Sequence, residues 1–287
     1  MTLGIVFALA CSLVTNVGFL CKHRGACAAP AVDVRRPLRS LRALLSSGWF
    51  ALGMAVAGSA WVFHIAALAF APVSIVQVVL AGGVVLLAVT AERFFGCAVG
   101  ARQRLCLALT AGGLVLIVAT LPATSGRGDA VAPVGLLGFQ ATLLVVAGAL
   151  VAGACSSRGR AHAGLMLGAA AGTLFAVSNV ALKALLDPLA DGGGAGLTAP
   201  SLLVALIASL VAFYASARSL QQSEAVPVIA LTGAAANVAN IAGGFIVFGD
   251  PVPAGTVAAF ALMLGFASVC VAALLTPAPL RVAPTAV

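Results

Sequence analysis

Amide and hydroxyl side chains interrupt several long apolar stretches of this sequence, and they are the groups best suited to bind a small polar solute there. Asn237 and Asn240 are three residues apart, which puts them on one face of a helix, and Thr232 precedes them. Asn16 and Asn179 lie in two further apolar stretches. Such groups could bind zwitterionic, polyol or weakly charged solutes, or they could serve only to join helices by hydrogen bonds. The candidate substrate-binding residues are Asn16, His64, Gln77, Ser178, Asn179, Thr232, Asn237 and Asn240.

One histidine and one pair of charged residues could add coupling and gating. His64 is the only imidazole inside an apolar stretch, and a group that titrates near neutral pH suits proton coupling. Its alternative role is that of a packing residue bonded to a neighbouring carbonyl. Arg218 and Glu224 could pair as a gate at the cytoplasmic mouth, or they could form a solvated surface pair of little energetic weight.

The acidic residues argue against a preformed metal site and against catalysis. All seven fall at predicted helix ends or in loops, so none lies clearly at the centre of a span. A dehydrated Mg²⁺ prefers hard oxygen ligands that include carboxylates, although amide oxygens could hold a hydrated cation. The sequence contains no H-E-x-x-H, nucleophile elbow or phosphate-binding loop, and none of its cysteines forms a C-x-x-C pair, so we expect no enzyme and no cofactor. The acids are Asp33, Glu92, Asp129, Asp187, Asp191, Glu224 and Asp250.

The composition indicates that a lipid bilayer surrounds the elements that position these residues. Hydrophobic residues make up 62% of the 287 and charged residues only 8%, against roughly 25% charged in soluble domains. The sequence therefore predicts an all-α polytopic membrane protein with a single transmembrane domain over 1–287. Nine stretches have the length of about 20 apolar residues that a span requires. They are 2–21, 48–70, 73–95, 103–121, 134–154, 162–184, 200–219, 225–248 and 254–275.

The basic residues predict the orientation of these spans. With nine spans, one side of the membrane receives 13 of the 15 Lys and Arg residues and the other side receives two, Arg127 and Lys183. The positive-inside rule makes the first side cytoplasmic, with the N-terminus outside and the C-terminus in the cytoplasm. Because the net charge of +8 is spread over short loops, we expect no nucleic-acid partner. The first side comprises 22–47, 93–104, 155–161, 218–224 and the C-terminal tail.

The segment 22–47 is the longest of these basic loops. Lys22 and Arg24 follow the first apolar stretch, the reverse of the charge order of a signal peptide, so we expect that stretch to be retained as a span. Four arginines then alternate with leucines, which is typical of an amphipathic helix on an anionic membrane surface. A simple topology anchor would carry the same arginines. They are Arg35, Arg36, Arg39 and Arg42.

Weak internal repeats divide the chain into two halves, about 1–121 and 134–276. The motif at 15–19 resembles that at 178–182, and the approach at 68–73 parallels that at 220–225. On the predicted topology the matched segments run in opposite directions, which is typical of inverted-repeat transporters with a midplane substrate site. A glycine run at 164, 168 and 172 is a close-packing signal that could join the halves or form a homodimer. The segment 187–199 is a predicted outer loop.

Several motifs resemble the drug/metabolite transporter superfamily with its EamA-like fold, and in particular its NIPA-like branch of magnesium transporters. They are Leu9 to Gly25 with its basic K-x-x-G turn, Ala69-Phe70-Ala71-Pro72 with Ser74, Val76 and Glu92-Arg93, Ala181-Leu182-Lys183-Ala184, and Phe248-Gly249-Asp250. The resemblance implies nine spans with an external N-terminus. Magnesium-transporting members carry Gly-Glu and Asn in the second span, where this chain has Ala60-Trp61 and His64.

These observations predict a secondary transporter in the cytoplasmic membrane. It would move a small polar metabolite or drug-like solute by alternating access. The first alternative is a magnesium or divalent-cation pathway of the NIPA-like type, and the second is a membrane scaffold that transports nothing.

Overall fold

The regular structure of the chain is α-helical throughout the residues that a computed structural model describes. These residues are 2–33, 35–70, 79–80, 82–96, 99–120, 133–156, 162–190, 198–249 and 255–275. Ten helices occur within them. They are α1 (Thr2–Ala28), α2 (Pro37–Ser46), α3 (Gly48–Phe70), α4 (Val84–Phe95), α5 (Ala101–Thr120), α6 (Pro133–Cys155), α7 (Ala163–Ala190), α8 (Thr198–Gln222), α9 (Ala225–Val247) and α10 (Thr256–Leu275).

Seven of these helices, α1, α3 and α5 to α9, are long and apolar enough to cross a membrane. α10 contains a shorter apolar stretch, Thr256–Ala272, and α4, which begins after Gly83, has 12 residues. Of the predicted span 73–95, residues 73–78 and 81 lie outside the described part. Large apolar side chains cover the outer surface, with Trp61 69% and Val257 84% exposed. Water would not favour such a surface, whereas lipid does. The predicted class, a helical multi-pass membrane protein, is confirmed in this form.

Two helix ends lie beyond the positions that the sequence predicts. α1 continues through Gly25 to Ala28 instead of ending at the basic turn, because Gly25 serves a close helix crossing: a Cβ there would collide with the backbone of Phe50 on α3. α7 runs to Ala190, so the first residues of the predicted outer loop 187–199 are helical. Pro188 lies in the last turn of that helix, where its missing N–H removes a single backbone hydrogen bond.

The helices pack as two similar antiparallel pairs, with further helices against them. α1 lies along α3 and α7 lies along α8, while α9 packs on α7 and α10 packs on α5. Small residues allow the first pair to approach closely: Gly18 lies against Ala57, and Gly53 lies against the backbone oxygen of Gly18. Without a hydrophobic force between helices in lipid, this close van der Waals packing contributes much of the stability of the pair.

Contacts at one end of the bundle join the two halves of the chain. Gln221 Nε2 donates to Ala26 O (3.0 Å) and Pro30 O (3.1 Å), which links α8 to the end of α1. Arg102 Nε donates to Leu275 O (3.0 Å), which links α5 to the end of α10. The segments that the arginine distribution assigns to one side therefore lie together, and we call this the basic end. It holds the C-terminal ends of α1, α8 and α10 and the N-terminal ends of α5 and α9.

The glycine run of α7 packs within the second half of the chain. A Cβ at Gly164 would collide with Ser223, one at Gly168 would lie 3.0 Å from Thr232 Oγ1, and one at Gly172 would collide with the backbone oxygen of Thr232. Helices α8 and α9 of the same chain thus occupy this stripe. It is not available to a second copy, so the run gives no support to the predicted homodimer.

A methyl group on this stripe should destabilise the protein. We expect Gly172→Ala to lower the free energy of unfolding by about 1–3 kcal/mol, because the new Cβ overlaps α9. Gly112→Ala on α5 is the matched control, since nothing lies within 4 Å of a Cβ there and alanine favours a helix. Thermal unfolding in detergent micelles measures both. Equal melting temperatures for Gly172→Ala and wild type would contradict this packing.

Candidate functional site

α9 is a central helix of the second half, because two of its faces are covered by neighbouring helices. Ala234, Val238 and Ile241 pack in one cluster with residues of α5 and α10. On another face, the backbone of Thr232 lies against Gly172 of α7, and Gly243 lies against Val180 of α7 and Phe139 of α6. The polar residues of α9 that remain belong to neither contact face.

A third face of α9 carries Gly233, Asn237, Asn240 and Gly244. At about 100° per residue, these four fall within an arc of about 60°. Ile246, which is 64% exposed and therefore marks a lipid-facing side, lies roughly 150° from the centre of that arc. α9 also contacts α1 and α4, and its residues that cluster with those helices lie near its own N-terminal end, at positions 225–230. The arc therefore lies on the side of α9 away from Ile246. We call this arc the asparagine face.

The two asparagines of this face have polar atoms that the packing does not use. Asn237 is exposed although it lies in the middle of an apolar helix. Asn240 is half-buried, and its Oδ1 is fully buried with no hydrogen-bond partner in the described part of the chain. A polar group in a membrane interior is costly unless another group satisfies it. The exposed Asn237 amide is therefore available to a polar ligand, and the Asn240 amide would become available if its side chain turned outwards.

Asn179 on α7 is exposed at a similar depth, although the residues on either side of it are buried. Because Val180 packs on Gly243, Asn179 lies within about one to two helical turns of Asn237 and Asn240 along the bundle. Three of the predicted binding residues, on two adjacent helices, thus share one level of the second half.

Two other predicted binding residues serve helix packing instead. Asn16 is buried, and its Nδ2 donates to Gly83 O at 2.8 Å, which ties α1 to the turn before α4. Ser178 is buried between α7 and α8, where its Oγ donates to Ala205 O at 3.0 Å and lies 2.6 Å from Ser209 Oγ. Their partners are within the protein, so the structure separates them from Asn179, Asn237 and Asn240.

Thr232 and Gln77 complete the predicted polar set. Thr232 is 6% exposed, and its Oγ1, against Gly168, has no hydrogen-bond partner among the described residues. It belongs to the α7–α9 contact and not to the asparagine face. Gln77 lies outside the described residues.

His64 lies on the face of α3 that packs against α1. This face also carries Gly53, Ala57 and Ala60, which contact α1 at three- and four-residue spacing. The imidazole is half-buried and meets the ring of Trp61 edge-on, with centroids 6.3 Å apart. No hydrogen bond joins it to the part of the chain that the structure describes. Its position between helices is that of a packing residue.

The predicted gate pair is not joined in the structure. Glu224 Oε2 accepts a hydrogen bond of 2.6 Å from Gln103 Nε2 at the start of α5. With the Gln222 amide oriented to satisfy both groups, its oxygen accepts from Arg218 Nε (3.1 Å) and Nη2 (3.2 Å). Each charge therefore has a neutral partner, and Glu224 links the two halves through Gln103 instead of through Arg218.

A partly open pocket lies next to the Gln103–Glu224 hydrogen bond, between α5, α9 and α10. Its empty volume is about 360 Å³, open solvent included. Gln103, Cys106 and Thr110 supply its polar atoms, and the rest of the lining is apolar. None of the predicted binding residues lines it.

Sequence reasoning missed Gln103 and Gln221, two glutamines that link the halves at the basic end. Gln221 uses its whole amide: Nε2 binds two carbonyls near the end of α1, and Oε1 accepts from Val32 N at 3.0 Å. Both residues sit beside arginines or at a predicted span end, where polar residues are ordinary. Gln140 was also missed; it is 5% exposed inside α6, with no partner for Nε2 in the described residues. The sequence could have indicated Gln140, because it is a lone amide residue within an apolar span.

Comparisons with protein-family models, curated proteins and solved structures find no match to this chain.

The contrast between packed and exposed asparagines is open to a stability test. We expect Asn16→Ala to lower the free energy of unfolding by about 0.6–1.7 kcal/mol, because it leaves Gly83 O without its donor. Asn237→Ala is the matched control and should leave stability unchanged, since the packing does not use its amide. Denaturation in mixed micelles measures both variants. A larger loss for Asn237→Ala than for Asn16→Ala would mean that the asparagine face is itself a packing surface.

Proposed function

We propose that this chain is a secondary transporter of the drug/metabolite transporter type that moves a small polar, uncharged or zwitterionic solute across the cytoplasmic membrane. The observation that carries this proposal is the asparagine face of α9. Asn237 and Asn240 carry polar atoms without a partner on the side of α9 away from Ile246, and Asn179 lies within about one to two helical turns of them. A scaffold would have no need of costly polar groups at this depth.

Contacts at the basic end support an alternating-access mechanism. Among the described residues, all hydrogen bonds from α1 and the loop after it to α8 and Ser223 lie at the basic end. They include His23 Nε2 to Ser223 O at 3.2 Å and Cys27 Sγ to Leu220 O at 3.5 Å. The polar face is farther along the bundle. A solute bound at that face would be shut off from the basic end while these bonds are intact, and it would be released there when they break.

The chemistry of the face favours a ligand with its own donors and acceptors. An amide supplies two donors and an acceptor without net charge, which suits a polyol or a zwitterion. Among the described residues no cluster of three His, Cys, Asp or Glu side chains could hold a metal ion. Glu224 is the acid at the inter-half contact, and its carboxylate is engaged with Gln103. Within the part of the chain that the structure describes, a magnesium pathway would depend on amide oxygens and a hydrated ion.

Flux through the purified protein tests this proposal. In proteoliposomes, we expect uptake of at least one labelled polyol or zwitterionic amino acid above the rate in protein-free vesicles. Asn237→Ala and Asn240→Ala should each reduce that uptake by about tenfold, since each removes one or two hydrogen bonds to the solute. Thr142→Val is the matched control, because Thr142 is exposed on α6 and bonds only to Gly138 of its own helix.

The other outcomes separate the alternatives. Unchanged uptake in both asparagine variants would place the site elsewhere. Movement of Mg²⁺ alone, followed with an enclosed indicator dye, would favour the divalent-cation pathway. Absence of any flux in correctly folded protein would favour a scaffold.

Loss of the Gln221 contacts should open the basic end. We expect a single cysteine at position 237, in a background without other cysteines, to react with a membrane-impermeant thiol reagent mainly from the side opposite the basic end. Gln221→Ala should increase labelling from the basic side severalfold, because three hydrogen bonds between the halves are lost. Gln222→Ala is the matched control, since among the described residues the amide of this exposed neighbour bonds to Arg218 and not to the first half. Equal labelling in both variants would remove Gln221 from the closure.

A further inference from the structure

The basic loop after α1 folds into a helix, α2, that the proposed transport mechanism does not use. α2 begins with Pro37 in its first turn, which suits that position because its missing N–H would be unpaired there. Ser40 and Leu44 form its buried face, at 7% and 0% exposure. Ser40 Oγ accepts from Asp33 N at 2.9 Å, and Tyr214 Oη donates to Pro37 O at 2.8 Å. The helix is thus fixed to the body of the protein by one side only.

The opposite side of α2 combines apolar and basic residues. Leu38 is 79% exposed and Leu45 is 45% exposed, about 100–160° around the helix from the buried face. Arg39 and Arg42 are exposed beside them. An exposed leucine pair next to a row of arginines is the pattern of a helix that lies in a membrane interface.

Connectivity holds α2 at the edge of the bilayer. Only Ser47 separates it from α3, and α1 ends at Ala28, so it lies between the ends of two helices that are long and apolar enough to span a membrane. Trp49 at the start of α3 is 42% exposed, and the guanidinium of Arg24 lies over its ring at 4.4 Å from the centroid. Tryptophan at the end of a span is typical of the interface between lipid and water.

The charge around α2 is strongly positive. Five arginines, at positions 24, 35, 36, 39 and 42, face a single acid, Asp33, which gives a net charge of +4 (five minus one). The Asp33 carboxylate is already engaged, because its Oδ1 accepts from Arg35 N at 2.9 Å. The side chains of Arg39 and Arg42 have no partner within the described residues, so their charges are available to anions at the membrane surface.

We propose that α2 is an interfacial helix that binds the headgroups of anionic lipids, with Arg39 and Arg42 on the phosphates and Leu38 and Leu45 in the acyl region. An acidic protein could bind the arginines, but it would not cover Leu38 and Leu45, because the connection to α3 holds these leucines at the level of the membrane interface. This interaction does not depend on the proposed transport function.

The first arm of the test measures the depth of α2. Leu38→Trp, placed in a background of Trp49→Phe and Trp61→Phe, gives a single fluorophore on the exposed face. In nanodiscs of phosphatidylglycerol and phosphatidylcholine, we expect brominated acyl chains to quench it strongly. An unquenched tryptophan would overturn the proposal, and it would leave a soluble acidic partner as the better explanation of the arginines.

The second arm measures headgroup preference. From micelles with equal amounts of phosphatidylglycerol and phosphatidylcholine, native mass spectrometry gives the ratio of the two lipids retained. Arg39→Gln with Arg42→Gln should lower that ratio roughly tenfold. Arg93→Gln with Arg104→Gln, which removes two exposed arginines near the ends of α4 and α5, should change it less than about twofold.

The remaining outcomes are equally decisive. An equal loss in both double variants would show a diffuse charge effect and overturn a site on α2. If inorganic phosphate at matched charge concentration displaces phosphatidylglycerol fully, the arginines bind a free anion and the lipid assignment is wrong.

Discussion

The hydrocarbon interior of the bilayer offers no hydrogen bonds, and this constraint determines how each polar side chain of the bundle can be interpreted. Asn16 and Ser178 satisfy it within the protein, by bonds to backbone carbonyls of adjacent helices. Asn237 and Asn240 do not. The four residues look alike in sequence, as small polar groups in apolar stretches. Only their partners distinguish helix packing from a surface that is free to bind.

Close glycine packing explains why the free polar groups lie where they do. Gly168 and Gly172 bring α7 against α9 so tightly that no side chain fits between them. This contact uses the Thr232 face of α9, and the cluster with α5 and α10 uses another. The asparagine face is what remains on the side of α9 away from Ile246. The geometry of an apolar contact therefore determines the direction in which the amides point.

The coarse architecture follows from the sequence, because long apolar runs in a chain of 8% charge have no alternative to spanning helices. The helix ends follow less well. Gly25 has the character of a turn residue, yet it lies inside α1 because Phe50 on α3 needs the space. A contact between residues so distant in sequence leaves no local signal. The predicted repeat and the count of nine spans stay predictions, since residues 71–78 and 81, in the predicted third span and its approach, lie outside the described residues.

The sequence predicts which types of residue form the candidate site, but not which individual residues belong to it. Residue type and helical spacing single out Asn237 and Asn240, and the structure keeps them on one face. The same reasoning included Asn16, because burial with a backbone partner cannot be read from spacing. It missed Gln103 and Gln221 because glutamine beside arginine at a span end is usually solvated. Their role depends on carbonyls and a carboxylate that other segments bring to them.

The two kinds of contact between helices differ in how easily they can separate. The glycine-packed contact of α7 and α9 lies inside the bundle, where no water can replace the van der Waals partners that separation would remove. The bonds of Gln221 and Gln103 lie at the basic end, near the ends of their helices, where water can take the place of each partner. A bond between neutral groups, as for Gln221, contributes only about 0.5–1.5 kcal/mol net, and a bond to a carboxylate, as for Gln103, about 1.5–3 kcal/mol. If α1 moves during transport, it should part from α8 at the Gln221 contacts, while α7, α8 and α9 move as one body.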